Sequence, residues 1–133
     1  MSDEKLLKKN KKVLFGVKVY VQSSFNNTLI NITDLNGNTL AWSSAGGQGF
    51  KGSKKSTPYA ASIAAVSVAQ KIKDKFLKDN RQKKILAEVF INGPGIGGES
   101  VVRSLSEYFD IEKISNITGI PHNGCRPKKE RRV

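Results

Sequence analysis

Residues 43–61 read SSAGGQGFKGSKKSTPYAA, and this stretch separates a strand-like first part of the chain from a helix. Four glycines lie among serine and threonine hydroxyls, and three lysines carry all of its charge. Thr57 and Pro58 predict the start of the helix, because threonine is a favourable N-cap and proline suits the first helical turn. Glycine backbone, hydroxyls, lysines and a helix N-terminus all bind phosphate oxygens. The stretch therefore predicts a flexible cationic loop that binds phosphates, and the alternative is an ordinary solvated loop.

Upstream of this stretch, alternating apolar residues predict three antiparallel strands, at residues 13–23, 28–33 and 39–43. Such alternation is typical of a strand with one buried face. Two turns that contain asparagine, at residues 25–27 and 36–37, connect these strands into a meander. The residues expected to point inward are Val17, Val19 and Val21 in the first strand and Ile30 and Ile32 in the second, whereas Leu40 and Trp42 share one face of the third.

Downstream, residues 58–78 predict a long helix, and residues 85–92 predict a fourth strand with apolar residues on both faces. Such a strand is typical of the covered interior of a sheet. A glycine-rich turn at 93–98, a second helix at 99–109 and a fifth strand at 111–118 form a strand–helix–strand crossover. The buried stripe of the first helix is expected to consist of Ala61, Ala64, Ala65, Val68, Ile72 and Phe76, which recur at helical spacing.

The composition fits one compact domain with a polyanionic partner. The chain has 133 residues, and no apolar run approaches the ~18 residues of a membrane-spanning helix. The net charge of +12 is concentrated in residues 1–12, 71–84 and 126–133, whereas residues 13–50 are nearly neutral. A membrane surface is a poor partner, because no amphipathic helix pairs a cationic face with bulky apolar residues. The placement of the charge therefore favours nucleic acid.

Gly93, Gly95 and Gly98 match a dinucleotide-binding pattern between a strand and a helix. A dinucleotide site also needs an acidic residue about 20 positions further on, which is missing here. Pro94 removes one backbone donor, and the chain is too short for two nucleotide-binding halves. The turn still offers amide groups at a helix N-terminus, so we expect Gly95 and Gly97 to contact a phosphate from another source.

The sequence contains no complete catalytic motif. A P-loop match that starts at Gly47 fails, because Ser53 stands where lysine is required. A metal-dependent nuclease would need clustered carboxylates. The predicted strands and their turns carry only Asp34, Glu88 and Glu112, so catalysis is not expected.

The last residues, 121–133, read PHNGCRPKKERRV and place five basic side chains next to two stiff prolines. Such a segment either stays a solvated terminus or orders on RNA. His122 and Cys125 cannot form a zinc site within one chain, because structural zinc takes four ligands and the chain has no other histidine or cysteine. A single cysteine also excludes an internal disulfide and fits a reducing compartment. His122 is expected to hydrogen-bond or to stack.

Four runs of residues carry a family resemblance: SFNNT at 24–28, AGGQGFKGSKKSTPYAA at 45–61, GPGIGGES at 93–100 and IPHNGCRPKKERRV at 120–133. They closely resemble small-ribosomal-subunit protein eleven of the bacterial and organellar type. The resemblance implies an α/β fold, a ribonuclease H-like sandwich with a five-stranded mixed sheet and two main helices. It also implies a place on the platform of the small subunit, beside proteins seven and eighteen. There the protein would bridge ribosomal RNA helices and help to form the messenger RNA cleft.

The chain departs from the usual family sequence at four positions. Family members usually carry arginine, aspartate and proline where this chain has Gly98, Asn116 and Gly119, and they usually lack an acid at Glu130. The change at Gly98 removes an expected phosphate contact from the glycine-rich turn.

We therefore expect a single domain, with a basic disordered arm at 1–12, a globular α/β core at 13–119 and an extended basic RNA-binding tail at 120–133. The protein is expected to act in the ribosome of a bacterium or of a mitochondrion or plastid, without enzymatic activity, cofactor, metal or small-molecule substrate. Two alternatives remain open: a nucleic-acid-binding module outside the ribosome, and a nuclease. The expected RNA-binding residues are Lys51, Gly52, Ser53, Lys54, Lys55, Ser56, Thr57, Gly95, Gly97, His122, Asn123, Arg126, Lys128, Lys129, Arg131 and Arg132.

Overall fold

A computed structural model describes residues 16–76, 85–130 and 132, which form a five-stranded sheet with two helices. In chain order the elements are β1 Gly16–Ser23, β2 Thr28–Asp34, β3 Thr39–Ser44, α1 Pro58–Phe76, β4 Ile85–Asn92, α2 Gly97–Leu105 and β5 Phe109–Asn116. The strands lie in the order β3-β2-β1-β4-β5. β1 pairs antiparallel with β2, as β2 does with β3, whereas β1 with β4 and β4 with β5 are parallel pairs. The predicted α/β fold with a five-stranded mixed sheet is confirmed.

The core lies between one face of the sheet and helix α1. Val17, Val19 and Val21 of β1 are at most 1% exposed and share one cluster with the buried face of the helix. The alanines on that face are at most 1% exposed, and their small side chains let the helix lie close to the strands. The predicted stripe is confirmed at Ala61, Ala64, Ala65, Val68 and Ile72, whereas the side chain of Phe76 lies outside the described residues.

The second helix and the fifth strand both begin two residues earlier than the sequence predicts. The sequence assigns Phe109 to the helix, because it follows Leu105 by four positions. Instead Phe109 opens β5, pairs with Ile85 of β4 and is 2% exposed. A buried residue at the end of a helix and one at the start of the next strand can share this spacing, so periodicity alone does not separate them.

Some predictions lie outside the described residues. They concern the basic arm at 1–12, the start of the predicted first strand at 13–15, the end of the predicted first helix at 77–78 and the rest of the basic stretch, up to residue 84.

Both helices pack on the same face of the sheet, whereas several large apolar side chains on the other face are exposed. On this open face, Tyr20 is 36% exposed, Leu86 44% and Trp42 66%. The predicted interior position of β4 is confirmed, since it lies between β1 and β5, whereas the prediction that both of its faces are covered was wrong. Apolar residues on both faces of a strand do not by themselves say what covers each face.

Candidate nucleic-acid interface

The connections that follow β1, β3, β4 and β5 all lie at one end of the sheet. Parallel strands finish at the same edge, and in an open α/β sheet this edge is where ligands bind. Both helices also begin here, since α1 starts at Pro58 and α2 at Gly97. We call this surface the sheet end and define it as residues 24–27, 45–57, 93–98 and 117–120.

Hydrogen bonds between distant parts of the chain join the sheet end into one surface. The Ala45 amide donates to the Thr28 carbonyl at 3.0 Å, and the Gly95 amide donates to the Ser23 carbonyl at 3.1 Å. The side-chain oxygen of Asn27 accepts from the Gly46 amide at 3.3 Å. The four connections therefore keep fixed positions relative to one another.

We call residues 45–57 the lysine loop. This loop is more regular than the flexible loop that the sequence predicts. It contains two short 3-10 turns, Gly46–Gln48 and Gly52–Ser56. The side-chain nitrogen of Gln48 donates to the hydroxyls of Ser43 on β3 and Ser67 on α1, at 3.1 and 3.2 Å. The loop is thus anchored both to the sheet and to the helix that it precedes.

The predicted phosphate-binding groups of this loop divide into outward and inward ones. Lys51, Ser53 and Lys54 are exposed, whereas Lys55 is partly buried. The hydroxyl of Thr57 donates to the Lys54 carbonyl at 2.8 Å and accepts from the amide of residue 60 at 3.2 Å, which confirms the predicted N-cap of α1. The Ser56 hydroxyl likewise donates within the loop, to the carbonyl of residue 53 at 2.8 Å. The lysines therefore remain the main outward cationic groups.

The glycine-rich turn packs tightly against the connection between β1 and β2. A Cβ atom on Gly95 would collide with the Ser23 hydroxyl, and one on Gly97 would collide with the Thr28 hydroxyl and lie 3.1 Å from Ala61. Gly97 is buried. The expected RNA contacts of Gly95 and Gly97 stay predictions, and packing already explains why both positions lack a side chain.

The tail leaves the sheet end as an exposed segment whose first residues are held in place. The Thr118 hydroxyl donates to the side-chain oxygen of Asn116 at 2.6 Å and accepts from the Gly93 amide at 3.0 Å. Residues 117–130 are all exposed. The basic side chains of the tail that are both expected contacts and described are Arg126, Lys128, Lys129 and Arg132. His122 and Asn123 are also exposed, and Asn123 has a φ of 49°. Arg131 lies outside the described residues.

Two further observations concern the described residues only. No group of three histidine, cysteine or carboxylate side chains gathers there in a way that could hold a metal ion. None of the helices in this part of the chain is long and apolar enough to cross a membrane.

Sequence reasoning found the lysine loop and the basic tail but missed the residues that bring them together. Each of these residues forms a hydrogen bond with a residue at least 19 positions away along the chain; they are Asn27, Gln48 and Thr118. Neither periodicity nor local composition signals such contacts. Only the turn pattern around Asn27 singles out one of them in the sequence.

The chain matches the Ribosomal protein S11 family over residues 16–132. It is similar to the small ribosomal subunit protein uS11 of Borreliella burgdorferi (strain ZS7), with 50% identity over 127 residues that cover 95% of this chain and 92% of the relative. The uS11 protein of Psychromonas ingrahamii is 49% identical, with coverage of 95% and 93%. That of Buchnera aphidicola subsp. Cinara cedri is 48% identical over 138 residues, and both chains are covered in full.

The family match spans nearly the whole described sheet, both helices and the tail, so it agrees with the resemblance carried by the four sequence runs. The chain therefore belongs to the ribosomal protein S11 family and is a structural, non-enzymatic constituent of the small ribosomal subunit.

Proposed function

We propose that the sheet end and the tail bind the phosphate backbone of small-subunit ribosomal RNA. One observation carries the proposal: the lysine loop, the N-termini of both helices and the start of the basic tail lie together at one end of the sheet. Helix N-termini carry partial positive charge and attract phosphate. The same surface thus combines fixed backbone dipoles with mobile cationic side chains.

The proposed contacts act mainly by neutralising phosphates and by fixing the position of the protein on the RNA. Contacts to phosphate orient a protein but carry no direct sequence information. The expected contacts are the residues of the lysine loop, the glycine-rich turn and the tail that were predicted from the sequence. Because the loop is anchored to β3 and α1, it loses less conformational freedom on binding than a mobile loop would.

The finer role that we propose follows from the family resemblance. The protein sits on the platform of the small subunit, bridges ribosomal RNA helices, helps to form the messenger RNA cleft and neighbours proteins seven and eighteen. The proposed organisation is a single domain with a basic arm at 1–12 and an RNA-binding tail at 120–133. The lysine loop and the tail are two segments that each carry their own basic residues, which supports contacts with more than one RNA helix.

The experiment tethers iron to single cysteines of the protein in reconstituted small subunits and maps where the hydroxyl radicals formed at the iron cleave the ribosomal RNA. Cys125 is the only cysteine, and it provides a native tether on the tail. A Cys125→Ser background then carries Ser53→Cys in the lysine loop or, as a control, Lys73→Cys on the second half of α1. All three tethering positions are exposed.

We expect strong ribosomal RNA cleavage from positions 53 and 125, at sites in different RNA helices, and weak cleavage from position 73. The proposal is overturned if position 73 cleaves as strongly as position 53 in subunits that contain the protein.

A further inference from the structure

The open face of the sheet contains a groove that the sheet end does not use. The groove holds about 550 Å³ and lies between β1 and β3, with β2 as its floor. We call it the sheet-face groove; its main lining side chains are Tyr20, Gln22, Leu29, Asn31, Thr39 and Trp42. None of these side chains is charged.

Two aromatic rings form the walls of the sheet-face groove, with an amide between them. Tyr20 pairs across the β1–β2 ladder with Asn31, and Asn31 pairs across the β2–β3 ladder with Trp42. Two strand spacings separate the aromatic residues by roughly 9.5 Å at the backbone. A planar ring that stacks between two aromatic walls requires the walls to be about 7 to 8 Å apart. The backbone spacing therefore leaves room for one flat ring between Tyr20 and Trp42, above Asn31.

Contacts outside the groove hold both walls in position. Tyr20 stacks on Phe90 of β4, with ring centroids 5.2 Å apart and planes 17° from parallel, so its other ring face is turned toward β2. Lys71 of α1 reaches past the edge strand β3 and donates to the Trp42 carbonyl at 3.3 Å. Its ammonium nitrogen lies 5.9 Å from the centre of the Trp42 ring. The Tyr20 ring is thus held by stacking, and a positive charge stands beside the Trp42 ring.

Asn31 supplies a polar group that lacks a partner. Its side-chain oxygen is buried and accepts no hydrogen bond within the described residues. Buried polar atoms are nearly always paired, so an unpaired one calls for an explanation. A rotation of the side-chain amide would present its acceptor and its donors to a ligand in the groove.

From these features we infer that the sheet-face groove binds one unpaired RNA base. Bases of single-stranded RNA stack on aromatic side chains and are read along their hydrogen-bonding edges. An asparagine amide pairs well with adenine, which offers both a donor and an acceptor. Lys71 and the net charge of +12 favour the phosphates that flank the base. An apolar protein segment would leave the Asn31 amide without a matching group.

Trp42 provides a direct probe, because it is the only tryptophan in the chain. We would titrate the full-length protein with an adenine hexanucleotide and a uracil hexanucleotide of RNA and follow tryptophan fluorescence. The adenine strand is expected to quench Trp42 saturably and to bind several-fold more tightly than the uracil strand. The same adenine strand in a duplex is expected to quench little.

Two substitutions test the walls and the floor. Tyr20→Leu and Asn31→Ala should each weaken binding of the labelled adenine strand, by about 5- to 100-fold for the loss of the stacked ring. Leu86→Ala is the matched control, since Leu86 is 44% exposed on the same face but does not line the groove. Circular dichroism of each variant identifies any that fails to fold, and Trp42→Leu then tests the other wall.

The outcomes separate this inference from the proposed function. Quenching should persist, at weaker overall affinity, when Lys51, Lys54 and Lys55 are replaced by alanine, because those residues lie at the sheet end. The inference is overturned if quenching is the same for both hexanucleotides and insensitive to Tyr20 and Asn31. It is also overturned if Trp42 responds only to added ribosomal proteins, since a protein segment would then be the occupant.

Discussion

At the scale of single residues, Asp34 fixes the turn between β2 and β3. Its carboxylate accepts from the amides of Asn36 and Asn38, both at 2.9 Å, and from the Asn38 side-chain nitrogen at 3.2 Å. Among the turn residues only Gly37 has a positive φ, of 96°, so the hairpin is a three-residue loop rather than the two-residue Asn-Gly turn. The predicted hairpin is present, and a side chain specifies its geometry.

These donors predict how Asp34 responds to pH. Hydrogen bonds from Asn38 and its neighbours stabilise the ionised form and lower the pKa of Asp34 below 3.8, and the Asn38 amide has the largest effect. Because the pKa is lower in the folded state, the stabilisation is complete above the unfolded-state pKa and is lost as pH falls through the folded one. A carbon NMR titration should show this lowered pKa, and the same titration in concentrated urea gives the reference. Equal values in both would contradict the assignment.

Gly95 tests whether packing sets the shape of the glycine-rich turn. Gly95→Ala should lower the unfolding free energy of the RNA-free protein by about 1 to 3 kcal/mol, because the added methyl group collides with Ser23. Gly119→Ala is the control, since no atom lies within 4 Å of a Cβ there. Urea unfolding of both variants is the measurement. Unchanged stability of Gly95→Ala together with impaired RNA binding would instead favour close approach of a phosphate.

At the scale of elements, the start of α1 depends on Thr57. Its hydroxyl oxygen accepts from the amide of Ala60 at 3.2 Å, so one otherwise unpaired donor of the first turn is satisfied. Thr57→Val should cost about 1 kcal/mol of unfolding free energy, whereas Thr57→Ser should retain most of the stability. Equal losses for the two variants would mean that the methyl group of Thr57 contributes as much to stability as its hydroxyl does.

The sequence predicts elements well where one pattern dominates and poorly where two patterns overlap. The alanine stripe of α1 and the bounds of β4 follow from spacing alone. Phe109 satisfies both a helical spacing and a strand start, and only its pairing with Ile85 decides between them. Leu86 and Phe90 predict a covered strand, but coverage of a face depends on where the helices pack. The lysine loop is visible from composition, whereas its long-range anchors, such as Gln48, are not.

At the scale of the whole molecule, we predict that the tail is separable from the core. Ile120 is 89% exposed, and every described residue from 117 onward is exposed. Deleting residues 120–133 should therefore leave the melting temperature nearly unchanged and reduce incorporation into small subunits, because the tail carries five basic residues. The deletion keeps Asn116 and Thr118, which hold the start of the tail.

A full-length variant separates the effect of charge from the effect of chain length. Replacing Arg126, Lys128, Lys129, Arg131 and Arg132 by glutamine should impair incorporation about as much as the deletion does. A collapse of the melting temperature on deletion would make the tail part of the core. Normal incorporation of the truncated protein would make it an ordinary solvated terminus.

The central claim is that ribosomal RNA is bound at the sheet end, and the salt dependence of affinity tests it most directly. The variant Lys51→Ala/Lys54→Ala/Lys55→Ala removes three charges from the sheet end. The control Lys73→Ala/Arg103→Ala/Lys113→Ala removes three exposed charges from α1, the last turn of α2 and the middle of β5. Both variants have the same net charge, so long-range attraction to RNA is matched.

Affinity for RNA falls as the salt concentration rises. Each lysine–phosphate interaction that is removed makes the fall of log affinity with log salt less steep by about 0.7 to 0.9. For binding of a small-subunit ribosomal RNA fragment, the salt dependence of the loop variant should therefore be less steep by about 2, with little change for the control. An equal change in the two variants, or an unchanged slope for the loop variant, would contradict an RNA interface at the sheet end.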